Sequence, residues 1–369
     1  MSDNRRVYRR IKVGLRQLYP QQLTGNQARH LNTLAGMVSG IVQSKRCHFE
    51  AMARKVPEAT KVTSREKKFV RYVKNEQVDY ETYYLPFVGY LLAGLAASGP
   101  LVLAMDGSET GRHCLTLMVS VIYQRRALPI AWLTVRGKKG HLAEAIHLEL
   151  LQRVQAILPD GSDVIFLGDG EFDGIQLQAA IDEAGWSYVC RTAKNRLICD
   201  DGDWFALDDI HLQPGMCLDI PDVGFSQEAY GPVLVIAWWR HGYREPLYLV
   251  TNFECTDEAC FWYRKRFRIE TFFSDQKSRG FHLHKSHLAD PDRIARLLIA
   301  ACLAYIWIIY LGLVAIRDNW VGLIHRTDRC DLSLFQLGLR LLDHLLNEEL
   351  EIPFDLRVPA PALLTKSVR

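Results

Sequence analysis

Residues 297–316 form a run of twenty side chains without one charge, bounded by Arg296 and Arg317. A stretch this long and apolar has two possible homes: a bilayer, or the centre of a core large enough to surround it. Its aromatic residues favour the core. Tyr305, Trp307 and Tyr310 stand near the middle of the run, whereas a membrane span keeps its aromatic residues at the ends. The run also follows directly on the segment that carries Glu270, through Asp290-Pro291-Asp292. The expectation is a helix buried on all sides against a sheet, with no membrane partner. A chain of 369 residues, 49% hydrophobic and 24% charged, can enclose such a helix in one large core with one or two smaller modules.

Two shorter apolar runs end alike. Residues 101–108 read Leu-Val-Leu-Ala-Met-Asp-Gly-Ser and residues 164–170 read Val-Ile-Phe-Leu-Gly-Asp-Gly, each a buried-strand pattern stopped by an aspartate and a turn. Asp106 and Asp169 would stand at the ends of two core strands. Singly, an aspartate there is more often a turn former than a functional group. Further on, Tyr263, Arg266, Glu270 and Lys277 form a Y-x2-R-x3-E-x6-K string. On an α-helix these positions fall within about 60° of one another, so one face would carry a phenol, a guanidinium, a carboxylate and an ammonium. Alone, such a stripe is a solvated charged face as readily as a site. Together, three carboxylates from two strands and a helix suit two hard divalent cations, because Mg2+ takes oxygen ligands and bare carboxylates repel one another.

Asp106, Asp169 and Glu270, set in that Tyr-Arg-Glu-Lys spacing, resemble the DDE triad and signature of bacterial insertion-sequence transposases, specifically the insertion-sequence-four family of cut-and-paste enzymes. The likeness runs from about residue 101 to residue 296. The segment Asp169-Gly170-Glu171-Phe172-Asp173 is similar to that family's stretch after its second aspartate, which usually reads Asp-Arg-Glu or Asp-Arg-Gly; Gly170 stands in place of the arginine and removes one expected phosphate contact. The resemblance implies that Asp106, Asp169 and Glu270 are catalytic and hold two Mg2+ ions, with Mn2+ able to substitute and Asp106 bridging both. It implies that Tyr263, Arg266 and Lys277 contact backbone phosphates of double-stranded DNA, at terminal inverted repeats and at a target. Arginine suits that task because its planar fork binds phosphate in a bidentate way. Nicking, hairpin formation, hairpin opening and strand transfer are the implied steps, carried out by a homodimer on DNA.

The implied fold is α/β: a ribonuclease H-like catalytic domain with a β-rich insertion, preceded by an all-α N-terminal DNA-binding region. The residues agree with that division. Residues 1–100 hold 17 Lys and Arg against 7 Asp and Glu, while the remainder holds 28 against 35, so the front of the chain is the part suited to a polyanion. Apolar residues recur at helical spacing over 27–43, and Ser64 is an N-cap candidate for a helix carrying Arg65, Lys67 and Lys68, which are candidate DNA contacts. The expected divisions are 1–98 (helical, DNA-binding), 99–195 (catalytic, first part), 196–253 (β-rich insertion), 254–325 (catalytic, second part) and 326–369 (helical tail with a loose end near Pro359). Within 99–195 the pattern reads three strands, helix from His141, strand, helix, strand.

The insertion closes on a hairpin over 233–239 and 246–251 that carries Trp238 and Trp239. Adjacent strand residues face opposite ways, so at most one indole could stack on an extruded base, and Trp239 is nearer the turn. His282, His284 and His287 read as DNA-facing or surface residues, since Mg2+ has little use for imidazole. Nine cysteines without a CxxC pattern read as reduced core thiols. With no leader pattern at residue 1, a bacterial cytoplasmic location is the expectation. Two other classes remain open: a nuclease of the same fold without strand transfer, and a transposase-derived DNA-binding protein.

Overall fold

The computed structural model describes every residue except 138, 139, 141, 327–329 and 360–369. Six helices come first: α1 (Asp3–Leu18), α2 (Gly25–Ser44), α3 (Phe49–Lys55), α4 (Val62–Lys74), α5 (Tyr80–Tyr83) and α6 (Leu85–Ala96). There follow β1 (Leu101–Gly111), β2 (Cys114–Tyr123), β3 (Arg126–Arg136), α7 (Glu144–Gln155), β4 (Val164–Gly168), α8 (Ile175–Glu183) and β5 (Ser187–Thr192). The start expected for α7, His141, lies outside the described residues. Next are β6 (Leu197–Asp200), β7 (Asp203–Ala206), β8 (Cys217–Phe225), β9 (Tyr230–Trp238) and β10 (Leu247–Thr251). The chain continues through α9 (Thr256–Tyr263), α10 (Arg268–Gln276), α11 (Pro291–Arg317), α12 (Val321–Ile324) and α13 (Leu334–Asn347).

All ten strands join one mixed sheet in the order β3-β2-β1-β4-β5-β10-β9-β8-β6-β7. β1, β4 and β5 are parallel neighbours, and the other pairings are antiparallel. The strands of residues 196–253 extend the sheet beyond β5, with Tyr248 of β10 opposite Thr192. Strands near the middle are apolar almost throughout because both faces are covered, as in the fully buried β4.

The uncharged run is the buried helix α11. Its N-terminus is capped by Asp290, whose carboxylate accepts the Arg293 N–H at 3.0 Å. It packs against β3, α2, α4 and α13. Two glycines let α11 and α13 meet backbone to backbone: a Cβ at Gly338 would lie 1.9 Å from the Ile308 carbonyl oxygen, and one at Gly312 would lie 2.1 Å from that of Leu334. The uncharged part of α11, from Leu297 to Ile316, is thereby buried apart from the half-buried Tyr310.

The N-terminal helices share this core. Tyr84 Oη donates to the Pro129 carbonyl on β3 at 2.6 Å, Tyr80 Oη donates to that of Ile130, and Arg296 donates to the carbonyls of Val73 and Val78 at 3.2 and 3.1 Å. A fragment ending near residue 95 would expose the apolar side chains of one continuous buried cluster. Ser64 is not the cap of α4. The helix starts at Val62, because the Ser64 and Arg65 N–H groups already bond the Lys61 carbonyl at 3.0 and 3.1 Å.

Five cysteines are buried and all are free, but Cys217 and Cys255 are exposed, contrary to a uniform core role. They lie on a sheet extension with one solvated face and at a helix entrance. Of the tail, Pro359 is tethered by Tyr123 Oη at 2.8 Å, and the rest lies outside the described residues.

Candidate active site

Parallel register brings the two aspartates together. Ala104 of β1 pairs with Leu167 of β4, and each strand reaches its aspartate two residues later. Asp106 Oδ1 accepts the Gly107 N–H at 2.8 Å, and Asp169 Oδ1 accepts the Glu171 N–H at 3.0 Å. Only Asp169 stands where its strand ends; contrary to the sequence expectation Asp106 lies within β1, because pairing with Met118 and the rest of β2 carries that strand on to Gly111. Behind Asp169, the buried Asp173 holds Thr192 Oγ1 at 2.6 Å and Arg196 Nη2 at 2.9 Å, tying this turn to β5. Gly168 has no room for a side chain, since a Cβ there would lie 2.7 Å from that of Phe172. Gly170 faces open space.

Glu270 arrives on α10, which is locked to the sheet edge from beneath. Asp275 and Arg126 form a buried ion pair at 3.2 Å, in which burial pushes the Asp275 carboxyl up to about 6 even against the pull of the guanidinium. Gln276 Nε2 adds a bond to the Ala301 carbonyl at 3.3 Å.

The string does not lie on one α-helix face. α9 ends at Tyr263 and α10 starts at Arg268, and between them the Lys265, Arg266, Arg268, Ile269 and Glu270 N–H groups bond three residues back. This tighter winding rotates Tyr263 inward, where it is 8% exposed and its phenol is raised by burial. Lys277 has left the helix and reaches back to Ser108 Oγ at 2.6 Å, two residues beyond Asp106. The four side chains still converge, by a break in the helix rather than by a continuous stripe.

Arg266 is the hub. Its Nη2 donates to Glu270 Oε1 at 2.8 Å and its Nη1 lies 4.0 Å from Asp169 Oδ2. Asp106 is pushed up to about 7, first by burial and then by the negative charge of Asp169, with Arg266 opposing and Glu270 adding to the rise. Asp169, Tyr263, Arg266 and Glu270 line a groove of about 960 Å³ whose far wall comes from the extended sheet: Trp239 and Tyr248 beside Arg191 and Lys194. Arg191 and Lys194 gave no signal in the sequence, since only the β4–β5 register brings Arg191 next to Asp169. Trp238 is buried with the guanidinium groups of Arg240 and Arg264 each 5.1 Å from its ring, while Trp239, just past the end of β9, donates Nε1–H to the Tyr243 carbonyl at 3.0 Å. In the N-terminal helices, Arg65 donates to the Val56 carbonyl and Lys68 bonds Glu58 at 2.8 Å, whereas Lys67 is exposed.

The parallel centre of the sheet therefore brings two aspartates close to a glutamate and the Arg266 guanidinium at one side of the groove. The chain belongs to the family described as "Transposase DDE domain", whose model matches residues 101–307, more than half of it. Among solved structures, the cryo-EM synaptic complex of piggyBac transposase with hairpin DNA aligns at a TM-score of 0.46 and 12% identity, over 99% of this chain and 83% of that one. No curated protein matches the chain.

DDE transposase domains generally use divalent metals, and the donors here fit one. They are oxygen-only, and their mutual repulsion is written into the raised Asp106. Among the described residues no three ligands are already gathered at bonding distance, because Arg266 occupies the place between Glu270 and Asp169. One consequence is measurable without any DNA. The folded-state value near 7 exceeds that of the unfolded carboxyl, so Asp106 destabilises the metal-free fold progressively from about pH 4 to about pH 7 and fully above it. Asp106→Asn should stabilise the metal-free protein by about 1 to 3 kcal/mol at pH 8 and by little at pH 4.5. Thermal melts of both proteins in chelator at the two pH values check this; an equal gain at both would refute the linkage.

Proposed function

We propose that this chain is a cut-and-paste DNA transposase of the insertion-sequence-four branch, with a ribonuclease H-like catalytic domain. It cuts an insertion sequence at terminal inverted repeats and joins it to target DNA, acting in the bacterial cytoplasm as a homodimer on DNA. The observation that supports the reading is the proximity of Asp106, Asp169 and Glu270: the two aspartates come from adjacent parallel strands, Asp106 feels the charges of the other two, and Asp169 and Glu270 line one groove of mixed charge in which Arg191, Lys194 and Arg266 are the cations. Family membership supports it.

Asp106, Asp169 and Glu270 would hold a pair of Mg2+ ions, which when bound supply an activated oxygen nucleophile and charge neutralisation for the departing oxygen. The protein's own groups do the rest. Arg266 would turn its fork from Glu270 to a backbone phosphate, so DNA and cations together free the carboxylates. Lys277, held over β1 by Ser108, would place a second phosphate beside Asp106. Tyr263 supplies a buried wall with its hydroxyl near Arg266. Residues 1–98 would present a basic helical surface to the terminal repeats, with Lys67 pointing outward. Trp239 would receive a base extruded as the strand doubles back into a hairpin.

The test is direct. Purified protein incubated with a duplex bearing the repeats that flank its own gene should give nicked, hairpin and excised products with Mg2+ or Mn2+ and none in chelator. Repeat-independent degradation would assign a nuclease instead, and binding without cleavage would assign a transposase-derived DNA-binding protein.

A further inference from the structure

The carboxylate groove accounts for none of the histidines downstream of Lys277. The segment after α10 folds into a one-turn 3₁₀ helix over Leu283–Lys285, with Phe281 and Leu283 turned into the core and His284 and Lys285 outward. His282 and His287 hold left-handed backbone, at φ 50° and 61°. Across from them the α2–α3 connector begins with Lys45, also left-handed at φ 54°, and is pinned by the Cys47 N–H donating to the Phe281 carbonyl at 2.8 Å. Three non-glycine residues kept in that conformation at one junction indicate surroundings that enforce a particular presentation of side chains.

What they present is imidazoles set among the fixed cations Arg46, Lys285 and Lys277. His282 lies in the fields of Arg46 and Lys285, and His284 in those of His282, Lys285 and Lys277, each adding to burial in lowering the imidazole. His282 and His284 rings are 6.0 Å apart, and His48 and His287 rings 5.6 Å apart. Nearby acids are engaged elsewhere: Asp343 takes Lys45 at 3.4 Å, and Glu50, which also acts on His48, takes Arg54 at 2.7 Å. His282 Nδ1 is buried and makes no hydrogen bond. These imidazoles are not a metal site, since no group of three candidate ligands among the described residues could hold an ion. The cluster begins where Lys277 meets Ser108 beside Asp106 and ends on the connector of the N-terminal helices. Cations interleaved with imidazoles, one of which has a buried ring nitrogen without a hydrogen bond, run from Lys277 toward those helices and match a phosphate backbone that would draw protons onto the rings.

We propose that Arg46, His282, His284 and Lys285 form a phosphate-binding tract that carries the terminal duplex from the N-terminal helices to the carboxylates. The assignment rests on the transposase reading and adds to it a path for the DNA and a dependence on pH. Each of these residues meets the backbone, so the tract contributes affinity and alignment rather than sequence preference.

The experiment is fluorescence anisotropy of the full chain with a labelled terminal-repeat duplex, titrated over salt at about pH 8, where imidazoles are neutral. Arg46→Ala/Lys285→Ala should flatten the plot of log K against log salt by about 0.9 for each phosphate that is no longer neutralised. Lowering the pH to about 6 should tighten wild-type binding, because phosphate favours the protonated rings, and His282→Gln/His284→Gln should lose that gain. Circular dichroism melts check folding, and Arg46→Gln/Lys285→Gln replaces the alanine pair if that pair is unstable. Unchanged slopes in folded variants overturn the tract, as does a loss confined to a repeat-free duplex. A wild-type chain that binds no DNA would sink the transposase reading and the tract with it, a result distinct from unchanged slopes.

Discussion

Asp106→Ala, Asp169→Ala and Glu270→Ala should each lower DNA cleavage by about a thousandfold or more, equivalent to about 4 kcal/mol of lost transition-state stabilisation, while terminal DNA binding changes by less than about threefold. The separation follows from where the three sit. Asp106 is a carboxyl that burial and Asp169 already make unfavourable when ionised, so its loss spares the fold. The Glu270 side chain is 49% exposed, and its removal leaves Arg266 freer to meet phosphate. Asp169 is the delicate one, because its Oδ1 also accepts the Glu171 N–H; Asp169→Asn keeps that bond and should be as inactive as the alanine variant. Gel assays of nicked and excised products, beside anisotropy of the same duplex, measure both quantities. Near-normal cleavage by any one variant removes that residue from the site.

Trp239→Ala should leave first-strand nicking within about twofold and slow hairpin formation by about 5-fold to about 160-fold, the span of a stacking contribution of about 1 to 3 kcal/mol. Trp239 lines the groove with Asp169 and Glu270 and is only partly covered, whereas its neighbour Trp238 is buried and has two guanidinium groups against its ring. Trp238→Ala should therefore act through packing, reducing stability and slowing both steps together. Resolving nicked, hairpin and excised ends over time distinguishes the cases. Equal slowing of nicking and hairpin formation by a well-folded Trp239→Ala excludes the stacking role.

Both expectations began as sequence patterns, and the patterns differ in how far they reach. A charge-free run of this length admits two environments, so α11 was legible as a buried helix once the central placement of Tyr305, Trp307 and Tyr310 and its flanks were weighed with its composition. The apolar runs leading to the two aspartates were legible for a similar reason, since an apolar strand must be covered on both faces, but the turn expected at Asp106 was wrong because pairing with β2 carries β1 on to Gly111. Helical periodicity located α2, and turn residues located the β9–β10 hairpin.

Angles on an ideal helix misplaced the Tyr-Arg-Glu-Lys string, because the winding between α9 and α10 tightens and Lys277 leaves the helix for Ser108. The same limit hid Arg191, the Arg126–Asp275 pair and the junction of Arg46 with His282, whose partners lie far away along the chain. Sequence by itself determined which segments had to be buried and which residue types could do chemistry, since those depend on local pattern and on transfer from water. Only the tertiary structure decided which charges share a groove, because electrostatic effects fall with distance in space, and that distance is set by strand register and by packing around α11.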